Sequence, residues 1–191
     1  MRPSLVAIGA SWGGTTALRT VLRGLRDSFD TPIVVVLHRA ARSNDELLER
    51  MLGDGVERTV CEADDKTPLT PACVFVAPAD YHLLVEDGRL ALSTDAPVNF
   101  SRPSIDVLFE SAADAYGAGL VAVVLTGSND DGAAGVRRVL ERGGRVVVQD
   151  PAGAERAEMP NAAIAAAGGA ADVVPLDRIA EHLLGMVGAP R

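Results

Sequence analysis

The stretch Leu5-Val-Ala-Ile-Gly-Ala-Ser-Trp-Gly-Gly14 decides the fold of this chain. Its short apolar run, Leu5 to Ile8, stops at Gly9, and apolar residues at helical spacing begin a few positions later. A strand turning sharply into a helix is the repeating unit of α/β proteins. Inside the turn, Ser11 stands in Gly9-Ala10-Ser11-Trp12-Gly13, the spacing of a nucleophile elbow. Such a turn lifts a serine off the carboxyl end of a strand, with glycines where a Cβ would clash. The same residues also have the form of a degraded dinucleotide loop, with Gly9, Ser11 and Gly14 in the three glycine places. Taken alone, the stretch leaves both readings open.

Downstream, Ala17-Leu18, Val21-Leu22 and Leu25 predict a helix over about 14–25. Ile33-Val-Val-Val-Leu37 is a continuous apolar run, as in a strand covered on both faces, and it ends on His38. Ser43 with Glu46 makes a capping box for a helix from Asp45 to Leu52, and Arg58–Glu62 is a weak strand. From Cys73 the texture changes to short strands: Cys73–Ala77, His82–Val85 and Arg89–Ser93. Asp87-Gly88 between the last two predicts a β-hairpin. After a loop holding Arg102, Ser104-Ile-Asp-Val107 opens an amphipathic helix to about Tyr116.

The βα rhythm then returns. Leu120–Leu125 is a second buried strand, followed by the loop Thr126–Gly132 and a helix to Arg142. Arg145–Gln149 is a further strand, Met159-Pro160 leads an Ala-rich helix over Asn161–Ala167, and Asp172–Val174 is a last strand before a terminal helix, Ile179–Val187. The alternation predicts an α/β fold, a doubly wound, mostly parallel sheet flanked by helices, with a β-hairpin insertion near residues 82–93.

Composition narrows the function. A length of 191 residues fits one domain, and 48% hydrophobic residues fit a packed core. A net charge of −8 speaks against nucleic acid and against a membrane surface, both of which want a basic face. No apolar stretch has transmembrane length, and no signal peptide is visible before the first strand. Cys61 and Cys73 carry no disulfide or metal pattern and are expected as buried, reduced thiols, which suits a cytoplasmic chain. No cofactor and no metal site is expected, since no histidine pair or thiol cluster has ligand spacing.

In a doubly wound sheet, reactive groups collect at the carboxyl ends of strands, near the reversal of strand order. Ser11 follows the first strand, His38 the second, and Asp130 or Asp131 the strand Leu120–Leu125. A serine hydroxyl needs a base to take its proton, and that base needs an acid to orient it. A dinucleotide site instead wants an acidic residue at the end of the second strand, where this chain has His38. His82 and His182 are expected in structural or solvated roles. The order Ser…His…Asp differs from that of α/β-hydrolases, in which the acid precedes the histidine.

Several of these motifs together resemble the catalytic domain of CheB-type protein-glutamate methylesterases. They are Gly9-Ala-Ser-Trp-Gly-Gly14, the strand ending in His38, Ala77-Pro-Ala-Asp-Tyr-His82, Arg102-Pro-Ser-Ile-Asp-Val-Leu-Phe109, Leu125-Thr-Gly127 with Asp131-Gly132, Gly143-Gly144 and Met159-Pro160. The resemblance spans about residues 4–185 and implies one methylesterase domain over 1–191. It implies hydrolysis of glutamate γ-methyl esters on chemotaxis receptors, releasing methanol, with receptor glutamines deamidated by some members. It assigns Ser11 as nucleophile, His38 as general base and Asp131, which directly precedes Gly132, as orienting acid. Trp12, Gly13, Ser128 and Met159 fall to the oxyanion hole and pocket, Ser128 through its backbone amide. The amino end of the helix after Ser11 is a further stabiliser of negative charge.

Two departures stand out from the family pattern. Arg39-Ala40 replaces the usual Met-Pro after the histidine, and Ser128-Asn129 replaces Met-Gly in the acid loop. The first catalytic strand begins near residue 4, where family members usually carry a preceding phosphoacceptor domain, so activation by phosphorylation in cis is not expected of these 191 residues. An adaptor of the same fold, binding partners without catalysis, is the alternative.

Overall fold

Strand pairing at the centre of the molecule follows from the apolar runs. A computed structural model describes residues 4–25, 29–39 and 45–187. Strand β1 (Leu5–Ala10) lies between β2 (Ile33–Leu37) and β7 (Leu120–Val124), and all three are wholly buried. Beyond β2 come β4 (Cys73–Val76) and the edge strand β3 (Thr59–Glu62). Beyond β7 come β8 (Arg145–Gln149) and β9 (Ala171–Val174), giving the order β3-β4-β2-β1-β7-β8-β9 with every pairing parallel. The hairpin β5 (His82–Glu86) and β6 (Arg89–Ser93) forms a separate antiparallel pair, closed by Asp87-Gly88.

Alternate residues along each strand enter different cores, as the two-residue period requires. Leu5, Ala7, Val34, Val36, Ala122 and Val124 face a layer of three helices: α3 (Ile105–Tyr116), α4 (Ala133–Glu141) and α5 (Glu158–Ala167). Val6, Ile8, Ala10, Val35 and Val123 face α1 (Gly14–Gly24), α2 (Asp45–Gly53) and α6 (Ile179–Val187). Double coverage explains why the central strands read as unbroken apolar runs. The hairpin lies over α3, burying Leu83, Val85 and Leu90, and Val85 N donates to Ser111 Oγ at 3.1 Å.

Details differ from expectation at a few ends. Met159-Pro160 sits inside the first turn of α5, where the N–H that proline lacks has no helical acceptor in any case. The Ser43–Glu46 capping box lies outside the described residues. Cys61 and Cys73 are free but half-buried, on the adjacent strands β3 and β4. Burial, with a contact to Cys73, pushes the Cys61 thiol up to about 12, so little of the reactive thiolate forms.

Gly9 of β1 faces the first turn of α3. A Cβ on this residue would come within 2.4 Å of Ile105 Cγ2, so the bare backbone of β1 lets the first turn of α3 press against it. Gly9→Ala should therefore destabilise the fold by about 1–3 kcal/mol in urea titrations, the cost of overpacking a filled core. Gly153→Ala, with nothing within 4 Å of the added methyl, should leave the midpoint unchanged.

Candidate active site

The register of the central strands sets Ser11 beside His38. Ala10 of β1 pairs with Leu37 of β2, so the next residue on each strand emerges at the same edge of the sheet. His38 N donates to Ala10 O at 3.0 Å, and Ser11 N donates to Thr126 O at 3.0 Å, tying the serine turn to both neighbours. Gly14 N closes the turn on Ser11 O at 2.8 Å, and Gly13 takes a left-handed φ of 76° just before α1. That conformation suits glycine, which has no Cβ to strain it. Ser11, Gly13, Gly14, His38 and Arg39 line one cavity of about 290 Å³.

Asp131 reaches the same place from the loop after β7. Its Oδ2 accepts from His38 Nε2 at 2.7 Å, and the side chain is 0% exposed. Four further donors surround it. Ile105 N (2.7 Å) and Asp106 N (3.1 Å) are free amides at the start of α3, while Ser104 Oγ (2.8 Å) and Asn99 Nδ2 (3.2 Å) are side-chain donors. Burial by itself would raise this carboxyl, but the bond from His38 and those from Ile105 and Asp106 outweigh it and hold Asp131 below the ordinary carboxylate range. A helix amino end adds partial positive charge to those amides.

Asp106 is the counterpart. Its Oδ1 accepts from Gly135 N at 2.7 Å and its Oδ2 from Asn99 Nδ2 at 2.8 Å. Burial, aided by the charge on Asp131, pushes its carboxyl up despite the Gly135 bond. Two adjacent carboxyls thus diverge, and the one touching His38 keeps its charge. Since Nε2 of His38 is engaged by Asp131, Nδ1 is the ring nitrogen left for proton exchange. A carboxylate holding one ring nitrogen fixes the tautomer and orientation in which the other is presented.

The remaining expected residues take distinct positions. Trp12 is 59% exposed; its Nε1 donates to Glu155 Oε1 at 2.8 Å, and the Arg156 guanidinium lies 5.5 Å over its ring. Ser128 and Asp130 are exposed on the acid loop. Met159 is buried beneath that loop, its N–H donating to Gly127 O at 3.0 Å, and it supports the loop without lining the cavity. The α1 amino end, whose first turn holds no acidic residue, borders the cavity at Gly14, Thr15 and Thr16. Arg39 donates to Ala77 O at 2.7 Å and pairs with Glu62 at 3.5 Å, so its charge is drawn away toward the ends of β3 and β4. Ala40 lies outside the described residues.

His82 is buried and structural: its Nε2 meets Ala96 O at 3.1 Å, and Ser104 N donates to its Nδ1 at 3.2 Å. His182 bonds Asp172 at 3.0 Å beside a separate cavity of about 590 Å³ between β9 and α6. Asn99, Ser104 and Asp106 escape a reading of sequence as site residues. The signals at hand are the motif Arg102–Phe109, which holds Ser104 and Asp106 without giving them a role, and the N-cap spacing of Ser104, whose Oγ also accepts from Val107 N at 3.5 Å.

Comparison with known proteins matches this chain to one family. The family profile described as CheB methylesterase covers residues 6–183. A Leptospira interrogans protein named as a protein-glutamate methylesterase/protein-glutamine glutaminase is 45% identical over 186 residues, which is 95% of this chain and 93% of that protein. A Xanthomonas oryzae pv. oryzae protein-glutamate methylesterase/protein-glutamine glutaminase is 40% identical over 98% of this chain, which spans 52% of its length. The crystal structure of the Thermotoga maritima CheB methylesterase catalytic domain superposes with a TM-score of 0.90 at 33% identity, covering 98% of this chain and 100% of that one.

The two carboxylates of the acid loop should behave differently. Asp131→Asn should lower the urea-unfolding free energy at pH 7 by about 3 kcal/mol, because an amide cannot match the donors that surround the buried carboxylate, whereas exposed Asp130→Asn should change it by less than about 0.5 kcal/mol. Because the folded carboxyl of Asp131 is depressed, its contribution is complete above its unfolded value near about 3.9 and is lost as pH falls through the folded value. The gap between wild type and Asp131→Asn should accordingly shrink as the titration is repeated below about pH 4; a gap constant with pH would contradict the assignment.

Proposed function

The chain belongs to the CheB methylesterase family, with protein-glutamate methylesterase activity, and we propose that Ser11, His38 and Asp131 carry the reaction on glutamate γ-methyl esters of a chemoreceptor-like protein. The observation that carries the assignment is the 2.7 Å bond from His38 Nε2 to Asp131, with Ser11 emerging on the neighbouring strand end. On this reading residues 1–191 act as one methylesterase domain.

Ser11 Oγ attacks the ester carbonyl carbon while its proton passes to His38 Nδ1. Asp131, fixed by α3, holds the imidazole in the tautomer that accepts this proton and stabilises the imidazolium. Negative charge forming on the carbonyl oxygen meets backbone N–H groups at the start of α1 and of the Ser128 loop. Collapse of the tetrahedral intermediate breaks the bond to the methoxy oxygen, which leaves as methanol with the His38 proton. Water, deprotonated by His38, then cleaves the acyl-enzyme, giving the glutamate carboxylate and restoring Ser11. A glutamine side chain follows the same path with ammonia as the leaving group.

The setting of the reaction is proposed as the cytoplasm. The two free thiols support that placement. No helix among the described residues is long and apolar enough to cross a membrane.

Methanol release from a methylated receptor fragment tests the reading. Ser11→Ala should reduce turnover by about 10³-fold or more while keeping the wild-type unfolding midpoint. Asp131→Asn should cost on the order of 10³–10⁴ in kcat, with Asp130→Asn close to wild type. An organophosphate should label wild type at Ser11; a protein acting only as an adaptor would neither label nor release methanol.

A further inference from the structure

Large apolar side chains exposed to solvent are unevenly placed on this molecule. Among the described residues there are six: Trp12, Leu47, Met51, Tyr81, Phe100 and Val173. Three of them line cavities that contain His38, and two more directly follow a lining residue in the chain. Trp12 follows Ser11, Leu47 and Met51 line the cavity that Ser11 and His38 share, and Phe100 lines a second cavity, of about 250 Å³, with His38, Arg39 and Asp80. Tyr81 follows Asp80, and only Val173 lies elsewhere, on β9. Isolated exposed apolar residues are ordinary, whereas a cluster rimming a polar centre marks a binding surface.

Phe100 is the extreme case, with a relative exposure of 104%. It sits at the tip of a tight turn in which Val98 and Ser101 exchange backbone hydrogen bonds of 3.1 and 2.8 Å. The two residues between them, Asn99 and Phe100, both hold left-handed backbone, at φ 50° and 61°. Such turns favour Asn followed by Gly, so a phenylalanine here is strained and, being fully exposed, regains nothing by packing within the chain. The surrounding structure compels the shape. Asn99 Nδ2 is bound by Asp106 and Asp131, and Arg102 fastens the loop to Asp80 Oδ1 (2.9 and 2.7 Å) and to the carbonyls of Thr94 and Asp95. The turn is thus braced on the carboxylate that holds His38, and it aims an aromatic ring outward beside the cleft.

We propose that Phe100 is a specificity-determining residue, seating an aliphatic side chain of the receptor segment that carries the scissile glutamyl ester. This rests on the methylesterase reading. The occupant follows from reach: three C–C bonds place the γ-carboxyl carbon only about 4 Å from its Cα, so an ester carbon at Ser11 brings the receptor backbone down to the rim. Neighbouring receptor side chains must then touch Phe100 on one side of His38 or Leu47 and Met51 on the other. A small ester makes no such contact, so Phe100 contributes to receptor turnover alone.

Kinetics on two substrates, a methylated receptor fragment and p-nitrophenyl acetate, test this. Phe100→Gly should lower kcat/KM on the receptor fragment about tenfold, mainly through KM, and leave p-nitrophenyl acetate hydrolysis unchanged. Its unfolding midpoint should not fall below wild type, since glycine accepts the left-handed backbone without strain, so misfolding cannot account for the loss. Phe100→Tyr, keeping the ring, should retain receptor activity. Unaltered kcat/KM on the receptor in Phe100→Gly, or equal losses on both esters, would overturn the proposal and leave the methylesterase reading intact. If wild type itself released no methanol from the fragment while still cleaving p-nitrophenyl acetate, the receptor reading would fail and this inference with it.

Discussion

A single buried carboxylate at the amino end of a helix organises the active half of this molecule. Asp131 is removed from water yet surrounded by five donors: two first-turn amides of α3, two side chains, and the imidazole of His38. Burying an ion is tolerable only when its hydrogen-bonding capacity is met in this way. The helix amides supply fixed dipoles that need no rearrangement as charge builds on the imidazole, which is the physical meaning of preorganisation. Everything that places α3 therefore also places the histidine.

Placement of α3 in turn depends on β1. Gly9 leaves room for Ile105 at the end of the central strand, and the hairpin covers the outer face of the helix through Leu83, Val85 and Leu90. His82 holds Ser104 from the hairpin side, so the insertion, which contributes no reacting group, still helps fix the helix end. The loop from 94 to 103 closes the arrangement, with Asn99 bridging Asp106 and Asp131. The divergence of those two carboxyls is a consequence: the one receiving the helix amides and the imidazole stays charged, and its neighbour is pushed toward its neutral form.

Much of the fold was legible in the chain because its determinants are local. Ile33–Leu37 and Leu120–Val124 read as doubly covered strands since no polar residue interrupts them, and Asp87-Gly88 marks its hairpin by turn chemistry alone. Ser11 and His38 were visible as strand-end residues, and in a parallel sheet a strand end is already a location. Asn99, Ser104 and Asp106 were not visible as site residues. Each is an ordinary loop or cap residue by type, and its partner, Asp131, lies 25 to 32 positions away. Met159 shows the opposite case, a motif residue that lies beneath the acid loop as packing.

Sequence by itself determined the periodicities, and through them the strands, the helices, their alternation and the turn that presents Ser11. Those features depend on the nearest few residues, whose sterics and hydrophobicity act whatever the rest of the chain does. Only the tertiary structure decided which ring nitrogen of His38 the acid takes, which donors hold that acid, and how Phe100 comes to stand at the cleft. These depend on the register of β1 against β2 and β7 and on the approach of α3 to Gly9. Both are contacts between segments far apart along the chain, set by how two cores fill on either side of one sheet.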